Sequence, residues 1–278
     1  MRVLFVRVSE MPSRSIIGRV LWTQAMTSNS ALERSEVVRH RVSCEHLQHG
    51  FALRFLALSL AAIAPVRAGG NDPYPNMAPL PQYLMNQGDE IAMARSAAPA
   101  SISASAEILV LGAHGYETGV KGTNGFVCYV SRAWDNNFSN VEFWNPKVRG
   151  PICANPATVR SVLPYVRQRA EWVLAGVSKA EIVARTKAAI AAKQVSAPEA
   201  GAMSFMLSKD GYLGDQAAGP WAPHVMFWGP PGPGSNWGAD LPGSPVYSDA
   251  DDVMPFTMYF IPVRKWSDGT PAESAHGH

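Results

Sequence analysis

A short apolar segment divides this chain into a part that is removed and a part that folds. Phe55–Ala64 is a ten-residue, predominantly apolar run, and Arg54 directly precedes it. Val66 and Ala68 supply the small side chains that signal peptidase reads at its −3 and −1 positions. The pattern predicts a signal peptide over residues 51–68 with cleavage near Ala68. A membrane-spanning helix needs about 20 apolar residues, so we expect an exported, periplasmic or secreted protein without a stable membrane anchor.

The segment before this signal peptide, residues 1–50, does not resemble a folded domain. It is rich in Arg and Ser and has no sustained strand or helix period. We interpret it as an over-extended start. The alternative is a leader similar to a transit peptide, which is also Arg-rich and poor in acidic residues.

The charge of the chain changes once this leader is set aside. Nine of the 24 basic residues and four of the 22 acidic residues lie in residues 1–68, which leaves 15 basic and 18 acidic side chains. The mature chain is therefore net −3 and has no Lys/Arg stripe. Because nucleic-acid binding rests on clustered positive charge, we predict no nucleic-acid partner.

Two cysteines remain in the mature chain, Cys128 and Cys153. In an oxidising compartment an isolated pair is most simply a disulfide, and closing this loop would stabilise the fold by about 3 kcal/mol. The alternative is that Cys128 is a free nucleophile.

Turn and capping signals divide the mature chain into strands, then helices, then strands. Asn124-Gly125 is a hairpin turn signal and is predicted to join two strands, and Ser178–Glu181 fits a helix capping box. This order predicts a single α+β domain over residues 81–270, with a largely antiparallel sheet and three or four helices. An extended arm (69–80) precedes it and a disordered tail (271–278) follows. The predicted strands are Glu107–Gly112, Tyr116–Lys121, Gly125–Ser131, Met203–Leu207, His224–Trp228 and Phe256–Val263, and the predicted helices begin at Pro81, Asn155 and Ser178, with a kink at Pro164.

Four short motifs carry a resemblance to a known family. The chain resembles a family of uncharacterised exported bacterial proteins, and the likeness covers most of residues 91–270. It implies export and a shared fold, and it carries no known activity or site residues. The motifs are GTNGFVC (Gly122–Cys128), FWNP (Phe143–Pro146), ICANP (Ile152–Pro156) and KWSDGT (Lys265–Thr270).

A metal site is the first chemical hypothesis. His114 and Glu117 are three residues apart, and His224 begins a predicted strand. Two imidazoles and one carboxylate would make an open site that activates water or binds iron. The alternative is that these are structural side chains, because no zinc-protease spacing is present.

A thiol hydrolase built on Cys128 and His224 is the second hypothesis, since NGFVC and PHVMF are similar to segments of exported cell-wall peptidases. Those enzymes place the cysteine at a helix N-terminus, which lowers the pKa of its thiol. Cys128 is predicted within a strand, so that feature is missing.

A binding surface is the third hypothesis, because aromatic residues concentrate among Pro/Gly loops in the last third of the chain. Aromatics on rigid loops can stack on a glycan or a peptide, whereas in an apolar sheet they form core. The residues are Trp221, Trp228, Trp237, Trp266, Tyr212 and Tyr247.

From these patterns we expect an exported protein of unknown function that acts as a binding or structural module and holds no cofactor. The alternative is a hydrolase or metalloenzyme with a site around His114, Glu117 and His224, with a bound metal ion. Convergence of those three side chains in one pocket would favour the alternative.

Overall fold

A computed structural model describes residues 73–215, 222–250 and 253–272. The predicted leader (1–50), the predicted signal peptide (51–68), the first residues of the predicted arm and the last six residues of the predicted tail lie outside the described residues. Within the described ranges, no helix has the length and apolar character needed to cross a bilayer.

One mixed sheet of eight strands runs through the described part of the chain. Its spatial order is β2-β1-β3-β4-β5-β6-β8-β7, and every neighbouring pair is antiparallel except β1 and β3. The predicted largely antiparallel α+β fold is confirmed. The strands are β1 (Glu107–Leu111), β2 (Tyr116–Val120), β3 (Val127–Ser131), β4 (Gly150–Ala154), β5 (Met203–Met206), β6 (His224–Gly229), β7 (Tyr247–Asp249) and β8 (Thr257–Pro262).

The predicted hairpin around Asn124-Gly125 is wrong. β2 pairs with β1, and β3 lies parallel to β1 on its other side. The chain crosses between them at Gly122, where a Cβ would clash with the backbone nitrogen of Glu107. The Asn124 amide donates to the carbonyl of Ile102, so this turn docks on the preceding helix layer and does not close a hairpin.

Five α-helices lie in the described residues, where three or four were predicted. The expected helix at Pro81 starts with a 3-10 turn (Leu80–Gln82), and the expected kink at Pro164 separates α3 from α4. Side chains of Asn86, Asn155 and Ser178 cap helices by accepting backbone N–H groups. The helices are α1 (Gln87–Arg95), α2 (Ala100–Ser103), α3 (Pro156–Ser161), α4 (Leu163–Leu174) and α5 (Lys179–Ala191).

Helices cover the two faces of the sheet with different kinds of side chain. α1 and the residues after it bring small alanines (Ala94, Ala97, Ala98) against Ile108 and Val130, so the helix backbone approaches the strands closely. The opposite face carries a larger core that is rich in aromatic residues and methionine and packs against α3–α5. The arm adds Tyr74, Met77 and Ala78 to the edge of that larger core.

The two cysteines lie on the α1 side of the sheet. Cys128 on β3 is directly opposite Cys153 on β4, both are fully buried, and their sulfur atoms are at disulfide bonding distance. The pair therefore joins two neighbouring interior strands of the sheet.

A buried ion pair fastens α1 to the end of β3. Arg132 Nη2 lies 2.7 Å from Glu90 Oε1, and both side chains are fully buried. Arg132 Nε also donates to the carbonyl of Tyr83 at 2.9 Å. The guanidinium thus holds the chain entering α1 as well as the helix itself.

Candidate functional site

A cavity of about 630 Å³ lies beneath α4, on the face of the sheet that carries the larger core. Its floor consists of alternate residues from six strands, because successive side chains of a strand point to opposite faces. Aromatic and thioether groups dominate this floor. They are Tyr129, Met206, Met226, Trp228, Met258 and Phe260, and Ile152 adds an aliphatic side chain.

Strand register fixes which floor side chains are neighbours. On β5 and β6, Met206 is directly opposite His224, and both line the cavity. On β6 and β8, Met226 is opposite Phe260. The central floor is therefore a continuous apolar surface with one imidazole at its edge.

The wall opposite the floor is α4, whose buried face also carries a charge. Val166, Ala170 and Val173 recur at helical spacing and pack into the core. Arg169 lies on the same face and is 1% exposed. Its guanidinium carbon lies 3.9 Å from the centre of the Phe138 ring, a cation–π contact.

Further contacts fix the Arg169 guanidinium beside the cavity. Nη2 donates to the carbonyl of Asn136 at 2.7 Å, and Nη1 lies 3.2 Å from the sulfur of Met254. Arg169, Asn136 and Met254 all line the cavity. A buried positive charge is thus held in place at the wall.

Asp135, in the 3-10 turn Ala133–Asp135 after β3, is the acidic counterpart on this wall. Its Oδ2 accepts the backbone N–H of Arg132 at 3.2 Å, while Oδ1 is buried without a hydrogen-bond partner among the described residues. Burial raises the pKa of the Asp135 carboxyl to about 6, and the positive charges of Arg169 and Arg132 limit the rise. This carboxyl consequently changes charge close to neutral pH.

His224 lies at the edge of the floor and is partly buried. Its Nδ1 is 2.9 Å from the carbonyl oxygen of Ala222, and its ring meets Phe260 edge-on at 5.5 Å. Burial lowers the pKa of the imidazole, with the Ala222 hydrogen bond acting in the opposite direction. The neutral imidazole is therefore the main form at pH 7.

The structure does not bring the three predicted metal ligands together. His114 and Glu117 are exposed beside β2 at one edge of the sheet, whereas His224 is on β6. Five strand spacings separate β2 from β6, which is roughly 24 Å along a flat sheet. In residues 73–215, 222–250 and 253–272, no group of three or more His, Cys, Asp or Glu side chains could hold a metal ion.

Cys128 and His224 do not form a catalytic pair either. Cys128 is bonded to Cys153 and packs on the α1 side of the sheet, while His224 faces the cavity on the other side. Cys128 therefore has no thiol available to act as a nucleophile while the disulfide is present.

The C-terminal aromatics separate into different environments. Trp228 is buried in the cavity floor, and its Nε1 donates to Ser204 Oγ at 3.1 Å. Trp237 is half exposed on the opposite face, stacked on Tyr259 at 4.3 Å. Trp266 is partly buried, Trp221 lies outside the described residues, and Tyr212 and Tyr247 are exposed and line the cavity.

Sequence reasoning identified His224 and missed the pair Asp135 and Arg169. One signal in the sequence could have located the cavity floor, because residues two apart on a strand face the same side of the sheet. These are Met226 and Trp228 on β6, and Met258 and Phe260 on β8. Nothing in the sequence pattern indicated that the turn after β3 would meet α4.

Comparisons with known proteins add no relative. No family model matches this chain, and neither the curated proteins nor the solved structures gave a significant match.

Proposed function

We propose that this protein is an exported binding protein that takes a small, largely apolar ligand into the cavity under α4. The observation that carries the proposal is the cavity itself, about 630 Å³ in volume, with an apolar floor and the two charged groups Asp135 and Arg169 on its wall. Ligand sites in proteins typically enclose about 300–1,000 Å³ and combine apolar walls with a few fixed polar groups.

The distribution of polarity suggests how a ligand lies in the cavity. Met226, Trp228 and Phe260 offer apolar and aromatic contacts on the sheet side. Asp135 and Arg169 offer a hydrogen-bond acceptor and a positive charge on the helix side. An amphipathic molecule with one polar end would satisfy both surfaces, and a donor on that end would pair with the buried Oδ1 of Asp135.

A ligand-binding titration with matched variants of α4 tests this function. The neutral fluorophore N-phenyl-1-naphthylamine is titrated into the mature chain and into Val166→Phe and Gln168→Phe. Val166 lines the cavity and Gln168 is exposed on the same helix, so only the first substitution fills the site. We expect at least tenfold weaker binding in Val166→Phe and unchanged binding in Gln168→Phe. Absence of binding to the unmodified chain, or equal binding by all three, would refute the proposal.

Export is a separate part of the proposal and rests on the sequence of residues 51–68. N-terminal sequencing of protein recovered from the periplasm or the medium is expected to begin at Gly69. Recovered protein that begins before Phe51 would contradict it.

The exposed rings of Tyr212 and Tyr247 beside the cavity favour a second candidate ligand, a glycan or a peptide. Both rings line the cavity while remaining about one third to one half accessible to solvent. Binding to a glycan and peptidoglycan panel that is lost in a Tyr212→Ala/Tyr247→Ala variant would support this alternative. Unchanged tryptophan fluorescence across the panel would count against it.

A further inference from the structure

We propose that Met206, His224 and Met226 form a site for a soft monovalent cation, Cu(I), on the floor of the cavity. The proposal does not depend on an apolar ligand, because it rests on strand register and ligand chemistry at one corner of the floor.

The register of β5 and β6 brings the three side chains together. Met206 and His224 are directly opposite, which places their Cβ atoms about 5 Å apart. Met226 is two residues beyond His224 on the same strand face, about 6.7 Å along the strand. It is the diagonal neighbour of Met206, at about 7 Å. Side chains as long as methionine and histidine can converge on one ion from these positions.

The donor set selects a soft ion. Thioether sulfur is a poor ligand for hard cations and a good one for Cu(I), and imidazole also suits copper. Among the described residues no group of three or more His, Cys, Asp or Glu side chains could hold a metal ion, at this corner or elsewhere. A zinc or calcium site, which relies on carboxylate, thiolate or several oxygen atoms, is therefore not what this corner offers.

The surroundings of His224 prepare it as a metal ligand. Metal-binding histidines usually engage their second ring nitrogen with a carbonyl or carboxylate, which fixes the tautomer and the ring direction. Nδ1 of His224 makes this contact with the Ala222 carbonyl at 2.9 Å, so Nε2 is the nitrogen for the ion.

The two sulfur ligands are already held in place. Met206 is 5% exposed and Met226 is 2% exposed, so each has lost most of its side-chain freedom before an ion arrives. The cavity provides the route by which the ion reaches them.

Anaerobic competition with the chelator bicinchoninate tests the site. All measurements use the mature chain with His276→Ala and His278→Ala, because the terminal histidines could bind copper by themselves. We expect one Cu(I) per chain, an affinity at least 100-fold lower in Met206→Leu/Met226→Leu, and a similar loss in His224→Gln. Met203→Leu is the matched control, since Met203 lies on the same strand and faces the opposite side of the sheet.

X-ray absorption identifies the ligands and separates the outcomes. Two sulfur scatterers and one nitrogen scatterer in the unmodified chain support the site. The proposal is overturned if the chain takes no Cu(I) from the chelator, if Met206→Leu/Met226→Leu binds as tightly as Met203→Leu, or if Zn(II) binds as tightly as Cu(I). Cu(I) uptake and N-phenyl-1-naphthylamine binding are measured separately on the unmodified chain, so the copper result and the ligand result can fail independently.

Discussion

Replacing Asp135 by Asn should make the protein more stable at neutral pH and leave its stability in acid nearly unchanged. The substitution keeps the shape of the side chain and removes its ability to ionise. In the native protein the carboxyl is buried in the cavity wall, away from bulk water, and its Oδ1 has no hydrogen-bond partner among the described residues. A residue whose replacement stabilises the fold is often one that is retained for function, such as contact with a ligand.

The size of the effect follows from the pKa of Asp135, which burial raises from the usual 3.8 to about 6. A pKa raised in the folded state means that ionisation disfavours folding. The native protein therefore has its full stability below pH 4, where the carboxyl is neutral in both states. It loses stability as the pH rises through 6. A rise of roughly two pKa units corresponds to about 3 kcal/mol, which is the gain expected for Asp135→Asn above pH 7.

Urea unfolding at pH 4, 5, 6 and 7.5, followed by circular dichroism, measures this difference. Asp268→Asn serves as a control of opposite sign, because Lys209 and Thr270 hold the pKa of Asp268 below its usual range. That variant should be less stable than the native protein at pH 7.5, and the difference should shrink in acid. A stability difference between Asp135→Asn and the native protein that does not change with pH would refute the reasoning.

Three further predictions concern the framework around the cavity. Cys128→Ala/Cys153→Ala should lose about 3.5 kcal/mol of unfolding free energy, because the unfolded chain is no longer constrained by a closed loop of 25 residues. An unfolding midpoint equal to that of the oxidised native protein would contradict this. Glu90→Gln should lower the free energy of unfolding, measured by chemical denaturation, by about 3–5 kcal/mol, because it leaves the buried Arg132 without its counter-charge. A loss no larger than that of a surface substitution would show that the pair is not buried. Asn155→Ala should cost about 1–2 kcal/mol by removing the α3 cap. Asn155→Asp keeps the acceptor and loses the donor to the Gly201 carbonyl, so it should recover only part of that loss in thermal unfolding.

Local sequence signals located most elements but not all their boundaries or partners. Glu107–Gly112 was predicted from its apolar β-branched run and ends one residue earlier in the structure. β4 was not predicted, because Gly150–Ala154 contains a proline and no alternation, and its strand conformation depends on pairing with β3 and β5. The false hairpin at Asn124 has the same origin, since a turn signal does not specify which strand will be the neighbour.

Local sequence signals predicted even less of the candidate site than of the fold. His224 could be selected because histidine is a chemically active residue near neutral pH. Asp135 and Arg169 are 34 positions apart, and their shared environment comes from the packing of α4 over the turn that follows β3. No periodicity within either segment encodes that contact.

The sequence alone determined the local and compositional properties of this protein. The apolar run at Phe55–Ala64 and the capping side chains are each read over a few residues. The α+β order of elements and the net negative charge of residues 69–278 follow from the pattern and composition of the longer sequence. Strand order, the pairing of Met206 with His224 and the cavity wall at Asp135 were decided only by the tertiary structure. They depend on side chains that are distant along the chain and become neighbours when apolar surface is buried.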